Sequence, residues 1–193
     1  MSPYSSDVDN RMWVYIALWG LSAIIAFAIS YSMNVLIQDA TLAVQFIVFM
    51  LSLSPMAICS LFIDHLPQKL LLKLSGIDNL TGQYEGILKT SHDGFDEEHQ
   101  VKIIIKQTMK SLDVSLFTKD SVSYNTSAYI SGSNGKMVLI YTYRNKGSVE
   151  KSLTQHDGTC TLSFDGHSIS GDYYTSHDRK NYGSLALELR ADN

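Results

Sequence analysis

Between Met12 and Ile63 the chain carries a single charged residue, Asp39, and it lies near the middle of the stretch. On one side runs Met12–Met33 (MWVYIALWGLSAIIAFAISYSM), on the other Ala40–Ile63 (ATLAVQFIVFMLSLSPMAICSLFI), and neither run holds a charge. A helix rises about 1.5 Å per residue, so each run is long enough to cross roughly 30 Å of hydrocarbon. In lipid the backbone must satisfy its own hydrogen bonds, which makes a helix the expected form. The joint Asn34–Asp39 has room only to turn back. The sequence therefore predicts a two-helix transmembrane hairpin. A hairpin buried in a soluble core fits poorly, because two adjacent uncharged runs of this length exceed what a small core needs. A signal peptide fits worse: the first run is too long, Arg11 is offset by Asp7 and Asp9, and a second run follows at once.

Basic residues orient the hairpin. The joint has no Lys or Arg, whereas Arg11 precedes the first run and Lys69 and Lys73 follow the second. The positive-inside rule places both termini, and all that follows, in the cytoplasm. Trp13, Tyr15 and Trp19 suit the interface at that end. Lys69–Leu74 (KLLLKL) reads equally as a helix lying at the interface or as a plain linker helix. We set the domain boundary after it, with a hairpin over 1–75 and a second domain over 76–193. That remainder is long enough for one compact domain. The formal net charge of −4 argues against a general DNA or RNA groove and against a polybasic lipid patch. The cysteines, Cys59 and Cys160, lie far apart and imply no disulfide framework.

After Leu80 the apolar period changes to two. Alternating runs fall at Leu80–Thr90, Gln100–Lys110, Leu112–Thr118, Ser121–Ile130, Lys136–Asn145, Thr159–Phe164, Ser168–Ser176 and Gly183–Arg190. Tight-turn signals separate them, including Ser-Asn-Gly at 133–135 and Asp165-Gly166. About eight short strands with no convincing helix predict a small antiparallel, lipocalin-like β-barrel, which hides its edges by closing; a two-sheet sandwich is the runner-up.

The inward face of these strands is not purely aliphatic. Strict alternation puts Gln107 with Val101, Ile103 and Ile105. It groups Tyr141, Tyr143 and Asn145 with Leu139, and Ser121 and Ser123 with Asn125. Unpaired buried amides and hydroxyls cost about 1–3 kcal/mol each. One end of the lumen is therefore expected to be polar and either wet or filled by a ligand, unless these groups pair with one another or a bulge turns them out. Gly82-Gln83-Tyr84-Glu85-Gly86 and Gly171-Asp172-Tyr173-Tyr174 place tyrosines near barrel corners.

Nothing in the chain points to catalysis. It lacks G-x-S-x-G, a P-loop and Cys-x-x-Cys. The turn His92–His99 is rich in carboxylates, but its spacing matches no HExxH or EF-hand pattern, so it reads as an exposed charged hairpin and not as a metal site. No catalytic residue, metal or cofactor is expected.

Taken together, the layout resembles the two-transmembrane-helix β-barrel effectors of bacterial cyclic-oligonucleotide antiphage signalling (CBASS). The resemblance rests on two spans followed by Gly82-x-Tyr84-x-Gly86, Ile105-x-Gln107, Ser121-x-Ser123 and Tyr141-x-Tyr143-x-Asn145. It continues through His156-x-Gly158-Thr159, Gly171-x-Tyr173-Tyr174, Asp178-Arg179, and Gly183 before Leu187-x-Leu189. Met109 stands where an aromatic is common, and His177 where Arg is usual. The resemblance implies a barrel that binds a cyclic dinucleotide made by a partner nucleotidyltransferase (CD-NTase). Binding then drives homo-oligomerisation, hairpin-mediated disruption of the lipid bilayer and cell death. On that basis Tyr141 and Tyr143 are expected to stack on a base, Gln107 and Asn145 to read base edges or ribose, and Arg179 to hold phosphate. His156 is expected to contact phosphate or brace a turn, and Tyr84 and Tyr173 to shape the pocket. The alternatives from the residues are a membrane-anchored carrier of a lipid or small hydrophobic ligand, whose lumen would be aliphatic, and a structural subunit that binds only protein.

Overall fold

The computed structural model describes residues 2–7, 9–36, 41, 42, 44, 46, 47, 66–132, 136–146, 155–176 and 179–190. The chain divides into two compact units, one formed by Met1–Asp9 with Ile77–Asn193 and the other by Asn10–Gly76.

In the smaller unit, α1 (Arg11–Leu36) has no acidic residue in its first turn and no basic residue in its last. Its segment Arg11–Met33 is long and apolar enough to cross a membrane, and is the one such helix among the described residues. Large apolar side chains such as Trp13, Ile24 and Phe27 stand exposed along it, as a lipid-facing helix requires. Ser22 and Ser32 on this helix each donate back one turn, to the Leu18 and Ala28 carbonyls, at 2.9 Å. The expected second span, Ala40–Ile63, lies almost wholly outside the described residues. The Lys69–Leu74 segment forms α2 (Gln68–Ser75), closed by Gly76 at φ 75°, a left-handed cap that costs a residue without Cβ little. Leu71 and Leu72 are buried while Leu70 and Leu74 are exposed, so the helix is amphipathic.

The larger unit is a closed barrel of nine strands. They are β1 (Ser2–Ser6), β2 (Gly82–Thr90), β3 (His99–Gln107), β4 (Ser111–Thr118), β5 (Val122–Ser131), β6 (Met137–Lys146), β7 (His156–Asp165), β8 (Ser168–Thr175) and β9 (Tyr182–Leu189). From β2 to β9 the chain is an antiparallel meander, closed by β2 pairing with β9. All eight expected strands are present, the largest shifts being the end of β3 at Gln107 in place of Lys110 and the start of β7 at His156 in place of Thr159.

The ninth strand corrects the expected domain boundary. β1 precedes α1 in sequence yet belongs to the barrel, where it runs antiparallel to β4 and parallel to β5. It had been grouped with the hairpin because SPYSS is too short to show a period and lies beside the apolar run. β4 and β5 pair directly only over Ser115–Phe117 and Val122–Tyr124; beyond that they diverge, and β1 fills the fork. A register shift at Asn125–Ser127 marks the divergence. The Asn125 side chain spans it, accepting from the Val114 N–H and donating to the Leu112 carbonyl, both at 2.9 Å.

Alternation fills one end of the barrel with apolar side chains. Ile103, Ile105, Leu112, Leu139, Leu162 and Ile169 are all almost completely enclosed there, with Tyr84 meeting Phe164 edge-on at 6.0 Å. Ser6, the last residue of β1, and Gly82, the first of β2, both lie at this closed end.

Candidate ligand-binding site

In a meander every second turn falls at the same end, so the β2–β3, β4–β5, β6–β7 and β8–β9 connections share the rim opposite the apolar filling. There the barrel opens into a cavity of about 800 Å³, inside the range of about 300–1,000 Å³ common for small-molecule sites. Its inner wall is polar and aromatic where the other end is aliphatic.

Strand β6 supplies one wall. Tyr141, Tyr143 and Asn145 point inward in alternate positions, and all three line the cavity. Tyr141 is deepest and nearly fully enclosed, with a hydroxyl that makes no hydrogen bond. The Cys160 thiol lies close enough to perturb that hydroxyl but does not meet hydrogen-bonding geometry. Burial holds the Tyr141 hydroxyl well above its ordinary value and pushes the Cys160 thiol up to about 12, so both keep their protons. Tyr143 is also raised, first by burial, with the Arg179 charge acting in the opposite sense.

Two glycines make room for the rings. Tyr143 lies across from Gly158 and Tyr173 across from Gly183 in the strand register. A Cβ on either glycine would collide with the facing tyrosine ring and with backbone. The glycine that makes room is thus the cross-strand one and not the glycine of the Gly-x-Tyr signal, since Gly171 faces the Thr161 and Leu162 backbone. Tyr143 also meets the His156 imidazole edge-on at 6.4 Å.

Asn145 is fixed by the neighbouring strand. Its amide donates to Ser121 Oγ at 3.0 Å and Ser123 Oγ at 2.9 Å. Both N–H donors are used, which leaves the carbonyl oxygen as its available acceptor. Arg179 lies in the β8–β9 turn, half-buried at the rim, and forms no ion pair among the described residues. Glu98 also lines the rim, but Lys89 offsets it at 3.1 Å. Lys119, Asp120, His92 and His99 also line the rim, which thus carries both signs of charge and two imidazoles.

Of the eight residues singled out in the sequence, Tyr141, Tyr143, Asn145, His156, Tyr173 and Arg179 therefore meet in one cavity. Tyr84 and Gln107 do not: both point inward at the closed end. The Tyr84 hydroxyl donates to the Leu80 carbonyl at 3.2 Å. Gln107 accepts from the Leu80 N–H at 2.7 Å and donates to the Tyr4 hydroxyl at 3.3 Å. Alternation gave the face of Gln107 correctly but not its depth, and its amide is consumed by the strand that the sequence hid.

The turn at 91–98, expected to be merely an exposed charged hairpin, contributes His92 and Glu98 to the rim. Its neighbour His99 bonds Asp93 at 2.6 Å, which holds that carboxyl below its usual range. The ligand atoms of Asp93, Glu97 and His99 lie within 4.8 Å of one another. The Asp93–His99 bond accounts for that grouping without an ion. Two non-glycine residues with left-handed backbone, Phe95 (φ 68°) and Lys180 (φ 53°), both fall in rim turns, where strain is commonly stored at functional sites. His177 and Asp178 lie outside the described residues.

A closed barrel with an aliphatic plug at one end and a polar, aromatic cavity at the other is a ligand-binding barrel of lipocalin-like build. The aliphatic part of the lumen is filled, so a lipid carrier's open apolar interior is not what this chain presents. Residues 75–189 match the Cap15 cyclic dinucleotide receptor domain, which is more than half of the chain, and the protein belongs to that family of CBASS antiviral effectors. The family is one of receptors and not of catalysts. Comparison with curated proteins finds no match.

Proposed function

We propose that this protein is a membrane-tethered receptor that converts a cyclic dinucleotide signal into damage to the bacterial inner membrane. The observation that carries the reading is the cavity itself, roomy, aromatic and rimmed by an arginine that has no ion pair among the described residues, on a barrel of the cyclic dinucleotide receptor family. A cyclic dinucleotide offers two flat bases and two phosphates. Tyr143 and Tyr173 present ring faces for a base, and Tyr141 floors the pocket. Asn145, with its amide N–H groups occupied, accepts from a base N–H. Arg179 takes phosphate in its planar fork, with His156 beside it. The phosphates stay at the rim, because a charge at the uncharged floor would be buried without a partner.

Ligand binding then drives self-association, clustered hairpins breach the bilayer, and the infected cell dies before the phage matures. The messenger comes from a partner nucleotidyltransferase in the cytoplasm, where Arg11, Lys69 and Lys73 orient the barrel. No cofactor or metal is needed for this sequence of events.

The test is a panel of cyclic dinucleotides added to the detergent-solubilised full chain, with thermal shift and particle size followed together. A ligand that binds only the folded state raises stability by mass action. We expect one or more messengers to raise the melting temperature and increase particle size together. Failure of every member to raise the melting temperature would sink the proposal.

A further inference from the structure

The fork between β4 and β5 is a slot shaped for an extended peptide. Its occupant, β1, is the only strand not continuous with the meander, and the chain between them is the whole of residues 7–81. β1 is held by few pairings: Ser2 and Pro3 with β4, and Tyr4, Ser5 and Ser6 with β5. Side chains supply the specificity. Tyr4 is buried, with its hydroxyl donating to the Thr108 carbonyl at 3.1 Å and accepting from Gln107 at 3.3 Å. The Ser2 N–H donates to the Asp113 carboxylate at 3.0 Å. The Asp7 carboxylate accepts from Ser131 Oγ at 2.9 Å and from the Gly132 N–H.

We infer that this fork is a strand-exchange site, and that the residue 2–6 strand of a second copy of this chain occupies it when copies associate. Three features support the choice of occupant. The slot's edges are main-chain donors and acceptors of β4 and β5 that demand an extended partner, the general logic of strand addition. A second copy offers the same five residues and reproduces each contact, which is why exchange of an identical element is a low-cost route to association. A strand's advantage from belonging to its own barrel is one of effective concentration, and copies concentrated in one membrane plane erode it. The cavity end survives the exchange, because β4 and β5 remain paired with each other over Ser115–Phe117 and Val122–Tyr124.

The inference rests on the proposed ligand-driven self-association and names the surface that performs it. The register places Ser5 beside Tyr129 on the outer face of the barrel, where both are exposed. Neighbouring strands bring such positions within the Cα spacing that a disulfide spans. The experiment uses two full-length variants in detergent, Ser5→Cys and Tyr129→Cys, each with Cys59→Ala and with the buried Cys160 retained. They are mixed, given the messenger that shifts the parent's size, and oxidised. Exchange predicts that the mixture shifts from monomer to a disulfide-linked dimer on denaturing gels. The same mixture with Thr142→Cys in place of Tyr129→Cys, an exposed position away from the fork, should stay monomeric. A doubly substituted chain, Ser5→Cys with Tyr129→Cys, reports the unexchanged state as an internal link. Growth in particle size while only internal links form overturns the exchange and leaves ligand sensing intact. No growth with any messenger overturns both.

Discussion

Along β6 the inward side chains change character within six residues. Leu139 is fully enclosed among other aliphatics, whereas Asn145, on the same strand and the same face, has its amide tied to two serines and its oxygen free. One end of the barrel is built to be stable and the other to be incomplete. At the closed end polar groups are satisfied by one another, as in the Leu80–Gln107–Tyr4 chain of hydrogen bonds. At the open end, among the described residues, the Tyr141 hydroxyl is left without a hydrogen bond and Arg179 without a carboxylate. Such groups are costly in a resting protein and useful in one that waits for a ligand.

This division can be broken by substitutions that trade stability against binding. The largest effect is expected at the closed end, where Leu162→Ala should cost about 2–5 kcal/mol in denaturant unfolding. Ligand affinity, measured well below the new midpoint, should change little. Arg179→Ala is expected to do the reverse, weakening cyclic dinucleotide binding by about 1.5–3 kcal/mol, the worth of a charged hydrogen bond, with unfolding unaltered. Equal affinity for parent and variant would remove Arg179 from the site. Gln107→Ala sharpens the comparison, since alternation turns this residue inward and the family resemblance implied a ligand contact for it. It should destabilise the barrel by about 1–3 kcal/mol, by leaving the Leu80 N–H unsatisfied, and should leave calorimetric affinity intact.

The smallest expected effect is a pH dependence. Asp93, Asp157 and Glu85 are held below their usual carboxylate range, first by hydrogen bonds from His99, Arg144 and Arg190 respectively. A depressed folded-state value means the stabilisation is fully present above the ordinary carboxylate range and is lost as pH falls through the folded value. All three pairs face solvent, so the contribution is slight and weakens with salt. Melting temperatures taken from pH 5 to pH 2 should fall less steeply for Arg144→Gln than for the parent; identical slopes would mean that the Arg144–Asp157 pair contributes nothing.

Much of this was legible before any coordinates. The eight meander strands followed from period-two alternation between turn signals, and alternation also put Tyr141, Tyr143 and Asn145 on one inner face. Depth was the missing coordinate. Periodicity says which way a side chain points but not which end of a cylinder it occupies, so Gln107 and Tyr84 were grouped with residues at the opposite rim. Counting turns around the meander would have separated them and drawn in His92 and Lys119, which sit in connections sharing a rim with the Tyr141–Asn145 end of β6. β1 was hidden for a different reason. Five residues carry no period, and their hydrogen-bonding partners lie a hundred positions away.

That hidden strand has a consequence of pure parity. Residues hydrogen-bonded edge to edge share one aqueous compartment, so Ser2–Ser6 and the meander that begins at Gly82 stand on the same side of any lipid sheet. The chain joining them must then pierce that sheet an even number of times. If α1 passes through once, the uncharged run Ala40–Ile63 is the stretch long enough to bring the polypeptide back, and a charge at its centre, costing about 2.5–3.5 kcal/mol in the hydrocarbon, should favour leaving the first five residues on the far shore from their slot.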